Sequence, residues 1–227
     1  MKKVAVLGST GSIGKNTLDI INRHPDRFTL YSICAQSNIE ELARQAKIYK
    51  PYKIGLADTS KVKDLKSKLG RFRRIYTGFE GINYLASDPQ VDIVVVAISG
   101  SQALFPLLAA IRAKRQIALA NKEALVMAGQ IVMKEALKRN VQIIPIDSEQ
   151  SAIWQCLKGH DARYVKTIYL TASGGSLNRV PKFKFAQATK SQILKHPRWR
   201  MGRKKSFSGG NIYHCFKNQI TAITAGR

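Results

Sequence analysis

A short apolar run that ends in a glycine-spaced loop sets the first limit on this chain. Residues 2–7 read KKVAVL, apolar and β-branched, and stop at Gly8. The loop Gly8-Ser9-Thr10-Gly11-Ser12-Ile13-Gly14 follows, with its glycines three apart. Ile13, Leu18, Ile20 and Ile21 then recur on one helical face up to about Arg23, and Pro25 closes the segment. A buried strand that turns through glycines into an amphipathic helix is the opening unit of a parallel sheet covered by helices. The loop alone fits two structures, a tight strand–helix turn or a phosphate cradle. In a cradle, glycines let the backbone approach a pyrophosphate that faces the next helix's N-terminus. The order strand, loop, amphipathic helix, strand favours the dinucleotide cradle.

The rest of the chain repeats the alternation. FTLYSIC at 28–34 reads as a second strand, and Asn38 caps a helix that begins IEELARQA, with Glu40 and Glu41 in its first turn. Strands are expected at 53–57, 91–98, 116–120 and 141–146, with 91–98 the clearest buried central-type strand. Helices are expected at 60–69, 102–113 and about 129–138. This pattern predicts an α/β fold: a Rossmann-like, doubly wound, mostly parallel sheet over residues 1–146. Beyond Asp147 the pattern weakens to one further strand, 164–172. The boundary is placed near Pro145–Asp147, and residues 147–204 read as the start of an incomplete α+β catalytic domain.

The end of the second strand bears on which dinucleotide is bound. Sites for NAD usually place an acid there to hold the ribose 2′-hydroxyl. Here the chain reads Cys34-Ala35-Gln36-Ser37-Asn38, with no carboxylate before Glu40. Neutral hydrogen-bonding groups suit a 2′-phosphate better than a repelling acid does, so NADP(H) is expected.

Composition removes other classes. Hydrophobic residues make up 44%, enough for a core and too many for a disordered chain. The longest apolar runs, VDIVVVAI and QIALA, are too short to span a bilayer. The N-terminus opens onto too short an apolar run for a signal peptide. Cys34, Cys156 and Cys215 are odd in number and form no CxxC pair, which points to a reducing cytoplasm and away from zinc. The net charge of +24 is uneven: residues 162–227 hold 14 Lys+Arg and no carboxylate. That segment could bind a polyanion, or it could normally fold against acidic partners that this stretch lacks.

Seven blocks in order, LGSTGSIG, AISG (97–100), AAIRA (109–113), LANKEALV (119–126), IDSEQSAI (146–153), LTASGG (170–175) and HPRWRMGRK (196–204), resemble one family, 1-deoxy-D-xylulose 5-phosphate reductoisomerase. A plain dehydrogenase of the semialdehyde or homoserine type shares the early strands but not these later blocks together. The resemblance implies an NADPH- and divalent-cation-dependent enzyme of isoprenoid precursor synthesis, with Mg²⁺ or Mn²⁺ as the cation. Its substrate is a small phosphorylated sugar, rearranged and then reduced to 2-C-methyl-D-erythritol 4-phosphate. No nucleic acid or membrane partner is implied, and full-length members are expected to be homodimers in the cytoplasm.

The resemblance also assigns residues. The loop from Gly8 through Ser9, Thr10, Gly11, Ser12 and Ile13 to Gly14 holds the cofactor, with Gln36, Ser37 and Asn38 at its 2′ end and Asn121 and Glu123 along its nicotinamide edge. Asp147 and Glu149 become metal ligands, although Asp-Ser-Glu by itself reads more often as a helix cap with an acid in the first turn. Lys122 and Glu149 are the expected catalytic residues. Lys122, Ser148, Glu149, Ser173 and His196 contact the substrate, with Ser173 at its phosphate and His196 and Trp199 in a closing flap. The quoted blocks stop at Lys204. Residues 205–227 then read as a basic, unmatched tail, suggesting a shortened chain read out of frame there and lacking activity.

Overall fold

Strand β1 (Lys2–Leu7) shows why the sheet is covered on both sides. Val4 and Val6 point to one face and Ala5 and Leu7 to the other, and all four are buried. In the computed structural model, which describes residues 1–72, 74–169, 187 and 189, β1 lies at the centre of a seven-stranded sheet. The other strands are β2 (Phe28–Ala35), β3 (Lys53–Leu56), β4 (Ile75–Thr77), β5 (Ile93–Val96), β6 (Gln116–Leu119) and β7 (Ile143–Pro145). Their order is β4-β3-β2-β1-β5-β6-β7, and every neighbouring pair is parallel.

The helices are α1 (Ser12–Arg23), α2 (Ile39–Tyr49), α3 (Val62–Leu69), α4 (Gly78–Ser87), α5 (Leu104–Arg112), α6 (Glu123–Lys138) and α7 (Ser148–Leu157). Leu18, Ile21, Leu42, Ala46 and Leu65 bring α1, α2 and α3 onto the Val4–Val6 face. Ile82, Leu85, Leu107, Ile111, Leu125 and Val132 bring α4, α5 and α6 onto the Ala5–Leu7 face. Strand order reverses beside β1, so a crevice opens where β1 and β5 diverge into helices on opposite faces.

The sheet is all parallel, so every loop that follows a strand emerges at one edge. Register makes this concrete. Leu7 pairs Val96, Val96 pairs Leu119 and Leu119 pairs Pro145, which sets residues 8–14, 97–100, 120–123 and 146–149 side by side. On the other side Ala35 pairs Leu56 and Leu56 pairs Thr77, bringing 36–38 next to 57–61.

Several expectations change. The α/β architecture and the first five elements stand as read. The helix expected from about 129 begins at Glu123 and bends at Ala128 (φ −142°, ψ 29°), just ahead of Gly129. Strands expected over 91–98 and 141–146 contract to Ile93–Val96 and Ile143–Pro145. β4 and α4 were not anticipated. The strand expected at 164–172 is absent over its described part: Ala162–Tyr164 is a 3-10 turn and 165–169 form neither helix nor strand. Tyr164 and Tyr169 are both exposed, and no described strand pairs with the segment. Among the described residues, no helix is long and apolar enough to cross a membrane.

Candidate active site

The glycine loop is shaped by backbone contacts. Gly8 (φ +88°) lies so close to the end of β5 that a Cβ on it would stand 2.6 Å from the Ala97 carbonyl oxygen. A Cβ on Gly14 would stand 2.4 Å from the Gly8 carbonyl oxygen and 2.5 Å from Ser9 Cα. Only glycine permits this entry into α1 at the switch point. Gly11 is the N-cap, in an extended conformation, and no side chain caps the helix. The first turn also holds no acid. The N–H groups of Ser12, Ile13 and Gly14, which a helix leaves without internal partners, therefore meet neither a capping oxygen nor a negative charge. That is an anion cradle, and a pyrophosphate fits it in charge and in the close approach the glycines allow.

Ser9 serves the cradle from behind. It is fully buried, and its hydroxyl donates to Gln45 Oε1 at 2.7 Å while Gln45 Nε2 donates back to the Ser9 carbonyl at 2.9 Å. The Ser9 side chain is thus turned inward and locks the loop to α2. Glu41 extends the network: it accepts both guanidinium bonds of Arg44 and lies 3.4 Å from Lys15 Nζ. The Arg44 hydrogen bond, joined by the charges of Lys15 and Arg44 and only partly opposed by burial, holds its carboxyl down at about 2.

At the end of β2, Gln36 and Asn38 are exposed and Ser37 is half-buried. Asn38 Oδ1 accepts the Glu41 N–H at 3.1 Å, so its side chain caps α2 as the sequence suggests. Lys61, which the sequence reading did not single out, places its ammonium 3.3 Å from the Ser37 carbonyl oxygen.

Across the crevice, Asn121 is nearly fully buried. Its Nδ2 donates to the carbonyls of Ile98 (2.8 Å) and Gly100 (3.0 Å) and to Glu123 Oε2 (2.9 Å), and its Oδ1 accepts the Ala124 N–H (2.7 Å). Glu123 Oε1 in turn accepts the Gly100 N–H at 3.3 Å. Asn121 thus holds the loop after β5 to the start of α6, and this capping explains why α6 begins so early. Both residues thereby fix the loop after β5 at the crevice.

Lys122 and the β7–α7 junction form the second cluster. Asp147 takes the N-cap position of α7 with Glu149 in the first turn, so the helix-cap geometry is present. The Asp147 side chain makes no capping bond and lies 2.8 Å from Lys122 Nζ. Burial pulls the Lys122 ammonium toward losing its proton. The bond to Asp147 and the fields of Asp147, Glu149 and Glu123 outweigh it, and the pKa is raised. Ser148 donates to Glu149 Oε2 at 2.8 Å. Asp147 and Glu149 offer the hard oxygen donors that Mg²⁺ or Mn²⁺ takes, and the donor chemistry fits such an ion. Among the described residues, no group of three or more His, Cys, Asp or Glu side chains stands ready to hold a metal.

The family model for 1-deoxy-D-xylulose 5-phosphate reductoisomerase matches residues 4–129, and the model for its C-terminal domain matches residues 143–223. The chain belongs to the 1-deoxy-D-xylulose 5-phosphate reductoisomerase family. It is 44% identical over 205 residues to the Pelodictyon phaeoclathratiforme protein of that name, a match covering 90% of this chain and 54% of the relative. The Chlorobium chlorochromatii protein is 43% identical over 213 residues, covering 93% of this chain and 56% of the relative. The chain therefore spans about half the length of the curated relatives it matches. A crystal structure of DOX-P reductoisomerase in complex with NADPH, fosmidomycin and magnesium superposes with a TM-score of 0.88 at 37% identity, covering 98% of this chain and 58% of that one. The Zymomonas mobilis enzyme in complex with NADPH gives 0.87 at 33% identity, covering 98% and 58%. The C-terminal-domain match runs past Lys204, where the motif reading placed the end of the resemblance.

Ser173, His196, Trp199 and the segment 205–227 lie outside the described residues. Among the described residues, the sheet brings Gly8–Gly14, Asn121–Glu123 and Asp147–Glu149 to one edge.

Proposed function

We propose that this chain supplies the NADPH-binding part of a 1-deoxy-D-xylulose 5-phosphate reductoisomerase, together with two carboxylates of its cation site. The reaction rearranges the carbon skeleton of the phosphorylated ketose and reduces the resulting aldehyde to 2-C-methyl-D-erythritol 4-phosphate. The observation that carries this reading is the single sheet edge. It sets an uncapped, acid-free helix N-terminus beside the Lys122–Asp147 pair and Glu149, within a chain of this family.

NADPH supplies the hydride, and a divalent cation on carboxylate oxygens polarises the substrate carbonyl and stabilises the oxyanion formed on carbon–carbon cleavage. The chain's own residues bind and orient. The N–H groups at the start of α1 take the pyrophosphate charge. Asn121 and Glu123 hold the loop after β5 against which the nicotinamide end lies. Lys122, kept protonated by its acidic neighbours, presents a fixed positive charge to a substrate oxygen, and the Ser148 hydroxyl can turn from Glu149 to a substrate hydroxyl.

The finer reading is that the 227 residues by themselves bind NADPH without turnover. It is supported by the site itself: among the described residues, no third His, Cys, Asp or Glu joins Asp147 and Glu149 in a group that could hold a metal. Calorimetric titration of the purified chain with NADPH, followed by NADPH consumption with substrate and Mg²⁺ or Mn²⁺, tests both parts. Absence of NADPH binding rejects the cofactor reading, and robust turnover rejects the inactive one.

A further inference from the structure

We infer that Lys61 is the residue that selects NADPH over NADH in this chain. The inference rests on the NADPH reading above and concerns only the 2′ end of that cofactor. In dinucleotide folds the end of the second strand meets the adenosine ribose, and a 2′-phosphate there needs a positive charge near backbone and hydroxyl donors. The turn Gln36-Ser37-Asn38 supplies no cation of its own. Register brings the β3 exit beside it: Asp58 N donates to the Gln36 carbonyl at 2.8 Å, and Lys61, two residues after Thr59 in the following 3-10 turn, reaches Ser37.

The charges around the turn single out Lys61. Glu41 is committed to Arg44 and Lys15, and Glu40 to Lys68 at 2.8 Å. Asp58 Oδ1 accepts the N–H of Ser60 at 3.1 Å and its hydroxyl at 2.6 Å, and that bonding, with the nearby charge of Lys61, favours the ionised carboxylate. Arg44 and Lys15 are the counter-ions of Glu41, whereas among the described residues Lys61 enters no ion pair. Its ammonium has three protons, and the Ser37 carbonyl takes one. Two remain for phosphate oxygens beside the Ser37 hydroxyl. The carbonyl tether also holds the long side chain in place before the cofactor arrives, so less rotamer freedom is lost on binding.

The experiment measures dissociation constants of NADPH and NADH for the wild-type chain, Lys61→Ala and Lys61→Arg, by calorimetry at two salt concentrations. Lys61 is half-buried on a surface turn, and circular dichroism checks that each variant is folded. Lys61→Ala is expected to weaken NADPH by about tenfold, to leave NADH within about twofold, and to flatten the salt dependence of NADPH binding. Lys61→Arg, which keeps the charge, is expected to retain most of the preference. Equal weakening of both cofactors, or an unchanged preference in Lys61→Ala, overturns the assignment while leaving the NADPH reading intact. A wild-type chain that binds neither cofactor, or favours NADH, overturns both.

Discussion

The Cβ that Gly14 lacks would stand 2.4 Å from the carbonyl oxygen of Gly8, so α1 starts in backbone contact with its own loop. Neither backbone segment can give way without moving β1 or α1. Gly14→Ala is therefore expected to destabilise the fold by about 1–3 kcal/mol and to weaken NADPH binding. Gly11→Ala places its Cβ 3.5 Å from the same oxygen, an ordinary contact, and should cost about 1 kcal/mol or less. Urea unfolding of the two variants checks the contrast. Equal losses would mean that the spacing of the glycines, rather than the contact, sets the requirement.

At the opposite edge of the sheet, Lys53 and Asp88 form a buried pair at 2.6 Å, with Asp88 1% exposed. Tyr84, Tyr76 and Tyr31 surround the ammonium at 4.7, 5.3 and 5.7 Å from their ring centroids. Asp88→Ala leaves that ammonium buried without its counter-ion and is expected to cost about 3–5 kcal/mol. Joint replacement, Lys53→Met with Asp88→Leu, should recover most of the loss. Burial alone would lower the Lys53 pKa; the bonds to Asp88 and Tyr84 and the Asp88 charge override it, and the net shift is upward. The pair's stabilisation is thus present below about 10.4, the unfolded value, and is lost as the pH rises through the higher folded value. Denaturant midpoints that do not fall faster in alkali for wild type than for the double variant would contradict this.

The elements legible in the sequence were those whose own side chains decide them. β1, β2 and α2 were set by apolar runs, the glycine loop and the Asn38 cap. β4 and α4 were hidden because three residues make a weak strand signal and α4 opens at Gly78 (φ +71°) with Gly81 inside. Gly81 reads as loop punctuation, yet a Cβ there would meet the Tyr76 carbonyl carbon at 2.8 Å, so it is a packing glycine. Residue types at the site were legible, but their directions were not. Nothing local says that Ser9 turns inward to Gln45, 36 residues away, or that Lys61 reaches Ser37. Those contacts exist only once β1, β2 and β3 are aligned.

Glu41 couples acid stability to the cradle. Its carboxyl is held at about 2 against an ordinary 4.5, first by the Arg44 hydrogen bond and then by Lys15 and Arg44 charges. A depressed folded value stabilises the fold above the unfolded pKa, and that contribution is lost as the pH falls from 4.5 toward 2. Glu41→Gln is expected to be less stable than wild type near neutrality and to converge with it in acid. Urea midpoints measured down the pH scale read the difference directly. A constant gap between the two proteins at all pH values would remove Glu41 from the acid response.

Lys122 occupies the carboxylate that a cation would need. Its Nζ lies 2.8 Å from Asp147 Oδ2, and both side chains are partly exposed, at 37% and 25%, so the pair is partly screened and worth about 1 kcal/mol. A cation proposed for Asp147 and Glu149 must displace this ammonium or share the oxygen with it. With its pKa raised, Lys122 stays charged through neutral pH and competes there. Removing the competitor by Lys122→Met is therefore expected to tighten Mn²⁺ binding to the chain by several-fold, up to about tenfold. Asp147→Asn should abolish that binding, and Glu149→Gln should weaken it, because each removes a hard anionic donor. Mn²⁺ titration followed by electron paramagnetic resonance reports the free ion and needs no turnover. A complete enzyme of the family carrying Lys122→Met should meanwhile lose activity, since the charge offered to the substrate is gone. Weaker Mn²⁺ binding in Lys122→Met would show instead that the lysine holds Asp147 in place for the metal rather than standing in for it.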